Sequence, residues 1–240
     1  MQVVGYHPVP EPALVLADGG PSERVTLTPG TELEYGLGER HCAGTVQNGH
    51  HVPCSEPRAP FCPRHTARFD ESTLRERTGE HAVYLAAFAP ALFKVGITRR
   101  DRLETRLREQ GADRGAHLRT VPDGDVARDV EERLGRDLSQ RVQTRRKRAG
   151  LGEQIDEEAW EALLDSRDPL SVFDFEYGLD LAGQPVEETL AAGTVCGVQG
   201  RLLVLRRAGT TYAVDLRDLV GYELTDRDTR PLQSSLGAFD

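Results

Sequence analysis

The chain has 240 residues, 39 acidic and 30 basic, with a formal net charge of -9, long enough to bury a core as one large domain or as two to three small ones. No apolar run approaches the ~20 residues of a membrane span, and the start MQVVGYHPVPEP lacks the charged and apolar regions of a secretory signal. A cytoplasmic protein without a membrane partner is therefore expected.

Residues 1–40 alternate short apolar runs (QVVGY, ALVLA, RVTLT, LEYGL) with Pro and Gly breaks, the pattern of a β-rich segment of short antiparallel strands. A Cys/His-rich loop follows over residues 41–70, and polar residues 70–80 form a linker in which ESTLRER has the pattern of a helical turn or two. From residue 81 to 148 the punctuation changes to β-β-α-β-α. HAVYLAAF and LFKVGIT pair across a turn near Pro90, DRLETRLREQG is a helix ending at Gly111, and AHLRTV is a third strand. Asp125 is placed to cap a second helix, VARDVEERLGRDLSQRV, whose Val126, Val130, Leu134 and Leu138 supply a buried stripe.

An acidic helix and connector occupy residues 149–190, with Trp160, Leu163 and Leu164 set to pack on a neighbour. Residues 191–225 read as a small C-terminal β-module of three or four strands, with Cys196 as a small buried side chain, and residues 226–240 as a tail without obvious structure. The expected class is α+β.

Charge is unevenly spread. Lys94 to Arg148 contain 16 basic and 10 acidic side chains, +6, which leaves -15 for the rest of the chain. Only Lys94 and Lys147 are lysines. Such Lys-poor, Arg- and acid-rich usage suggests a GC-rich genome and a halophilic cytoplasm, where salt screens charge and overall acidity does not exclude a nucleic-acid partner. Arg99, Arg100, Arg102, Arg108, Arg141, Arg145, Arg146, Lys147 and Arg148 could line a backbone-binding strip that gives affinity without sequence preference, or form a solvated helical face.

Three of the four cysteines fall within residues 42–62 and a histidine follows them: Cys42, Cys54, Cys62 and His65. In a cytosolic chain, thiols clustered in a Pro/Gly-rich loop point to metal rather than disulfides, and three thiolates with one imidazole suit a closed structural zinc site. The Cys62-Pro-Arg-His65 spacing lets two ligands converge from one tight turn. Eleven residues between Cys42 and Cys54 are wider than the usual two to four, and His41, His50 or His51 could replace one of the four; reduced cysteines without metal remain the alternative.

AVYLA, FKVGITRR, TRLREQGA and ARDVEERL occur in the order and at the distances of the GIY-YIG nuclease fold, and the segment resembles its diverged phage-type branch, where the second motif begins with lysine. In that resemblance Ala82-Val83-Tyr84 stands for the first motif and Lys94-Val95-Gly96 for the second. It implies phosphodiester hydrolysis in which Tyr84 helps activate water, Arg106 stabilises phosphate charge, and Glu131 holds magnesium or manganese. Two positions depart from the motif, Lys94 for the second tyrosine and Ala82 for the first glycine. Over nearly its whole length the chain also resembles one uncharacterised prokaryotic family of unknown function common in haloarchaea. A zinc-containing nucleic-acid-binding protein, with or without cleavage, is thus one expectation. The other is an interaction protein with a relic nuclease fold, whose partner protein meets the C-terminal β-module.

Overall fold

The computed structural model describes residues 1–66, 78–136 and 138–226. The helical turn expected at ESTLRER and the tail beyond residue 226 lie outside them. The chain divides into two compact units, one of Met1–Phe69 with Gln184–Asp240 and one of Asp70–Gly183. Among the described residues it is a mixed α+β protein, and no helix there is long and apolar enough to cross a membrane.

In chain order the first unit begins with β1 (Gln2–His7), β2 (Ala13–Ala17), β3 (Glu23–Thr26) and β4 (Glu32–Arg40), then a hairpin of β5 (Thr45–Gln47) and β6 (His50–Val52) and the single turn α1 (Pro63–Thr66). The second unit follows with β7 (His81–Phe88), β8 (Leu92–Arg99), α2 (Leu103–Gln110), β9 (Arg114–Val121), α3 (Gly124–Leu134), α4 (Thr144–Ala149), α5 (Glu157–Asp165) and β10 (Ser171–Asp174). The chain then returns to the first unit with β11 (Val186–Glu187), β12 (Ala191–Gln199), β13 (Leu202–Arg207), β14 (Thr210–Asp215), α6 (Leu216–Leu219) and β15 (Tyr222–Thr225).

The strands read separately at the two ends of the sequence lie in one sheet, ordered β11-β14-β13-β12-β4-β15-β1-β2-β3. β4 is the junction, antiparallel to β12 on one side and to β15 on the other. Apolar side chains from both ends meet in one core, among them Val3, Leu14, Leu16, Leu33, Val195, Leu203, Leu205 and Leu219. Strands β12 to β14 lie within this sheet, flanked by β4 and by the two-residue β11. Cys196 is half-buried on β12 rather than buried, its thiol 3.9 Å from the Thr194 carbonyl.

The second unit is a sheet ordered β10-β9-β7-β8 with helices on both faces. β7 is buried at all eight positions, and its alternating side chains serve two cores. Ala82, Tyr84, Ala86 and Phe88 meet Leu103 and Leu107 of α2. Val83, Leu85 and Ala87 meet Ala127 of α3 and Trp160 of α5, with Leu163 and Leu164 packed beside them. The helix α2 stops where expected, at Gly111 with φ 70, whose N–H returns to the Leu107 and Arg108 carbonyls.

Two features of α3 differ from the sequence reading. Its cap is Asp123, not Asp125: the Asp123 carboxylate accepts from the N–H groups of Asp125 and Val126 at 3.0 and 2.9 Å, placing Asp125 in the first turn. The helix also ends at Leu134, so the stripe is shorter than expected; Val130, Leu134 and Leu138 pack on the core, but Val126 is 38% exposed.

Tyr84 lies opposite Gly96 on β8, and a Cβ at Gly96 would sit 2.6 Å from the phenol ring. Because that ring is buried on both sides, it has little room to withdraw. Gly96→Ala should lower stability by about 1–3 kcal/mol, seen as a lower urea midpoint; an unchanged midpoint would mean that the ring can shift.

Candidate functional site

The first cluster forms in the 41–66 stretch. Asn48 and Gly49, both at positive φ, turn the β5–β6 hairpin, the conformation Asn-Gly favours. The hairpin takes the chain out and back between Cys42 and Cys54, so eleven intervening residues still leave the two thiols together. Gly44 packs so closely on the Val52 carbonyl that a side chain there would collide with it. Pro63 starts α1 directly after Cys62, a position where its missing N–H costs nothing. The turn brings the His65 N–H to the Cys62 carbonyl at 2.9 Å.

Sγ of Cys42, Cys54 and Cys62 and a ring nitrogen of His65 all lie within 4.8 Å of one another. Nδ1 of His65 is 3.2 Å from the sulfurs of both Cys42 and Cys62, and the Cys62 N–H donates to the Cys42 sulfur at 3.2 Å. A tetrahedral ion bound at about 2.3 Å to sulfur and about 2.0 Å to nitrogen spaces its ligands by about 3.5–3.8 Å, so the four atoms are compatible with a structural zinc site. The thiols are unequal: burial pushes Cys42 up, whereas at Cys62 burial is outweighed by hydrogen bonding, chiefly from the His65 N–H and from Cys42, and its thiol is lowered.

Two of the three alternative histidines hydrogen-bond other groups. His41 reaches the Cys54 carbonyl through Nδ1 at 2.9 Å and Glu223 through Nε2 at 3.3 Å. His51 is buried with Nε2 on the Ala43 carbonyl at 3.0 Å, and His50 is exposed.

The second cluster lies where β7, β8, α2 and α3 approach. Ala86 pairs with Lys94 and Tyr84 with Gly96, so Lys94 and Tyr84 share the sheet face covered by α2. Gln110, which the sequence reading missed, joins them: its Oε1 accepts from Lys94 Nζ and its Nε2 donates to the Tyr84 hydroxyl, both at 2.8 Å. Only a three-dimensional contact identifies Gln110; as a polar residue at a helix end it carries no local signal. Burial raises Tyr84 against the opposing effects of Arg106 and Gln110. Burial lowers Lys94 to about 8, with Arg106 adding to the effect and Glu131 opposing it. Glu131 is raised by burial and opposed by Lys94 and Arg128. The charges of Arg106 and Glu131 thus both act on Tyr84 and on Lys94.

The surrounding basic residues are less uniform than their spacing suggests. Arg99 pairs with Asp101, Arg100 with Glu80, Arg108 with Glu104, and Arg102 and Arg106 both reach Glu109. Arg108 also stacks on Phe175. Lys147 donates to the Gln110 carbonyl at 2.9 Å and sits over the Phe88 ring. Arg141, Arg145 and Arg146 are exposed, whereas Arg148 is half-buried.

The sequence profile described as Protein of unknown function (DUF2797) matches residues 36–173, which include both clusters. No curated protein and no solved structure matches the chain.

Protein purified without chelator should carry one zinc per chain by elemental analysis. Cys42→Ser or Cys62→Ser should lose it and His41→Ala should retain it. Equal metal content in all four proteins would exclude the cluster as the binding site.

Proposed function

Since more than half of its length matches their profile, the chain belongs to the DUF2797 proteins of unknown function, and we propose that it binds the phosphate backbone of a nucleic acid at the Tyr84–Lys94–Arg106 cluster. The observation that carries this reading is the convergence of an ammonium, a guanidinium and a phenol hydroxyl beside the middle of β8. Arg offers phosphate a planar fork of donors and Lys a point charge. The order β7-β8-α2-β9-α3 supports it as well, being the order of the nuclease fold that the sequence resembles.

The ion pairs along α2 do not oppose this role. Exposed pairs of this kind are worth about 0–1 kcal/mol, so phosphate can take the place of a carboxylate partner. Arg145 and Arg146 on α4 extend the contact away from the cluster. In the first unit, zinc held by Cys42, Cys54, Cys62 and His65 is assigned a structural role, tying the β5–β6 hairpin to α1.

Cleavage is the second reading, favoured by the effect of the Glu131 charge on both Lys94 and Tyr84. Magnesium or manganese fits the cluster poorly by itself. With Glu109 already paired to Arg102 and Arg106, Glu131 is the one carboxylate that acts on Lys94, against Arg106 and Arg141, whereas a hard cation seeks several oxygen ligands; the chain's own charges suit an anion.

Filter retention on single- and double-stranded DNA and RNA tests the binding reading. Affinity should fall steeply with salt, and by about tenfold on Arg106→Ala or on joint reversal of Arg145 and Arg146 to Glu. No retention at low salt for any of the four substrates would exclude it and favour the interaction-protein reading. Affinity should also fall as pH rises from 7 to 9, because Lys94 loses its charge near 8; Lys94→Met should flatten that dependence. The same substrates with magnesium or manganese test cleavage, which Glu131→Ala should abolish where it occurs.

A further inference from the structure

Gln110 is the last residue of α2, directly before the left-handed Gly111. Its side chain touches three other members of the cluster. Oε1 accepts from Lys94 Nζ at 2.8 Å, while Nε2 donates to the Tyr84 hydroxyl at 2.8 Å and to the Arg106 carbonyl at 3.0 Å. The directions follow from chemistry: an ammonium has donors only, so Lys94 can meet only the amide oxygen. This sets the amide's orientation and leaves both Nε2 hydrogens for the phenol oxygen and the helix carbonyl. The phenol oxygen is thereby an acceptor from Gln110, and its own hydrogen points away from the amide. Lys147, from α4, fastens the Gln110 backbone carbonyl at 2.9 Å.

We infer that Gln110 is the positioning residue of this cluster, its amide acting as a bridge that holds the Lys94 ammonium and the Tyr84 hydroxyl in register. The inference deepens the phosphate-binding reading and rests on it for the ligand, although the bridge itself needs no ligand. An amide suits the position because it offers an acceptor and a donor on one plane. A glutamate would accept from both neighbours and a leucine from neither. The charged groups that act on Lys94 are Arg106 on α2, Glu131 on α3 and Arg141 in the segment after it, while Tyr84 on β7 meets it through the Gln110 amide.

The chain has only two lysines, Lys94 and Lys147, so protein grown on lysine labelled with 13C at Cε gives two resonances, and Lys147→Arg assigns them. In wild type Lys94 should titrate near 8. Gln110→Glu, nearly the same in shape, places a carboxylate on the ammonium and should raise that midpoint by about one pH unit or more. Gln110→Leu removes the acceptor and should lower it. A residue that merely filled space would change thermal stability without moving Lys94 in opposite directions. Identical Lys94 titration in wild type and Gln110→Glu would overturn the inference, and this comparison decides alone if the leucine variant does not fold. The titration uses protein free of nucleic acid. A shifted midpoint in protein that retains no nucleic acid therefore rejects the phosphate reading and keeps the bridge; an unshifted midpoint with retention intact rejects only the bridge.

Discussion

A phenol hydroxyl in the middle of a strand buried on both faces cannot go without a hydrogen-bond partner, because desolvating it unpaired costs about 1–3 kcal/mol. At Tyr84 that constraint organises much of the second unit. The strand β7 has no exposed position, so the partner must come from a helix laid over it, and the end of α2 supplies Gln110. Small residues make the approach possible. Gly96 leaves room for the ring, and Gly115 leaves room for Leu107 to seat α2 on the sheet. The same amide then collects Lys94 from β8, so a packing requirement and a cluster of charges have one origin.

The first unit meets a different constraint. Its nine-stranded sheet is assembled from both ends of the described chain, and the excursion between β4 and β11 carries the Cys/His stretch and the entire second unit. The Cys/His stretch has little apolar material, with Ala43 buried and Phe61 partly buried against the core. Backbone bonds such as Cys42 N–H to the Glu56 carbonyl and Ala43 N–H to the Pro60 carbonyl shape it, and the four converging ligand atoms offer the cross-link that its core cannot.

What the sequence made legible was mostly local. Gly111 after an apolar-periodic helix, two strand patterns either side of Pro90, and a thiol three residues before His65 across one tight turn are each encoded within a few neighbours. Misreadings arose where two local signals competed or where partners were distant. Asp123 and Asp125 both stand at the start of the α3 pattern, and only the observed extended backbone at Asp123 distinguishes the cap from the first-turn residue. The wide gap between Cys42 and Cys54 looked unfavourable until Asn48-Gly49 is recognised as a hairpin turn. Pairing of β4 with β12 and β15 has no local code at all, since the partners are separated by about 160 and about 185 residues respectively.

That separation has a consequence for how the protein comes into being on the ribosome. The β1–β2–β3 meander can close as soon as it emerges, and the second unit, all of whose strands pair within one stretch of chain, can follow it. β4, however, must wait with both of its edges open until β12 and β15 have been translated, seconds later at ordinary elongation rates. During that interval its two charged glutamates flanking Leu33, Glu32 and Glu34, oppose pairing with a neighbouring nascent chain in the way charges guard exposed edges.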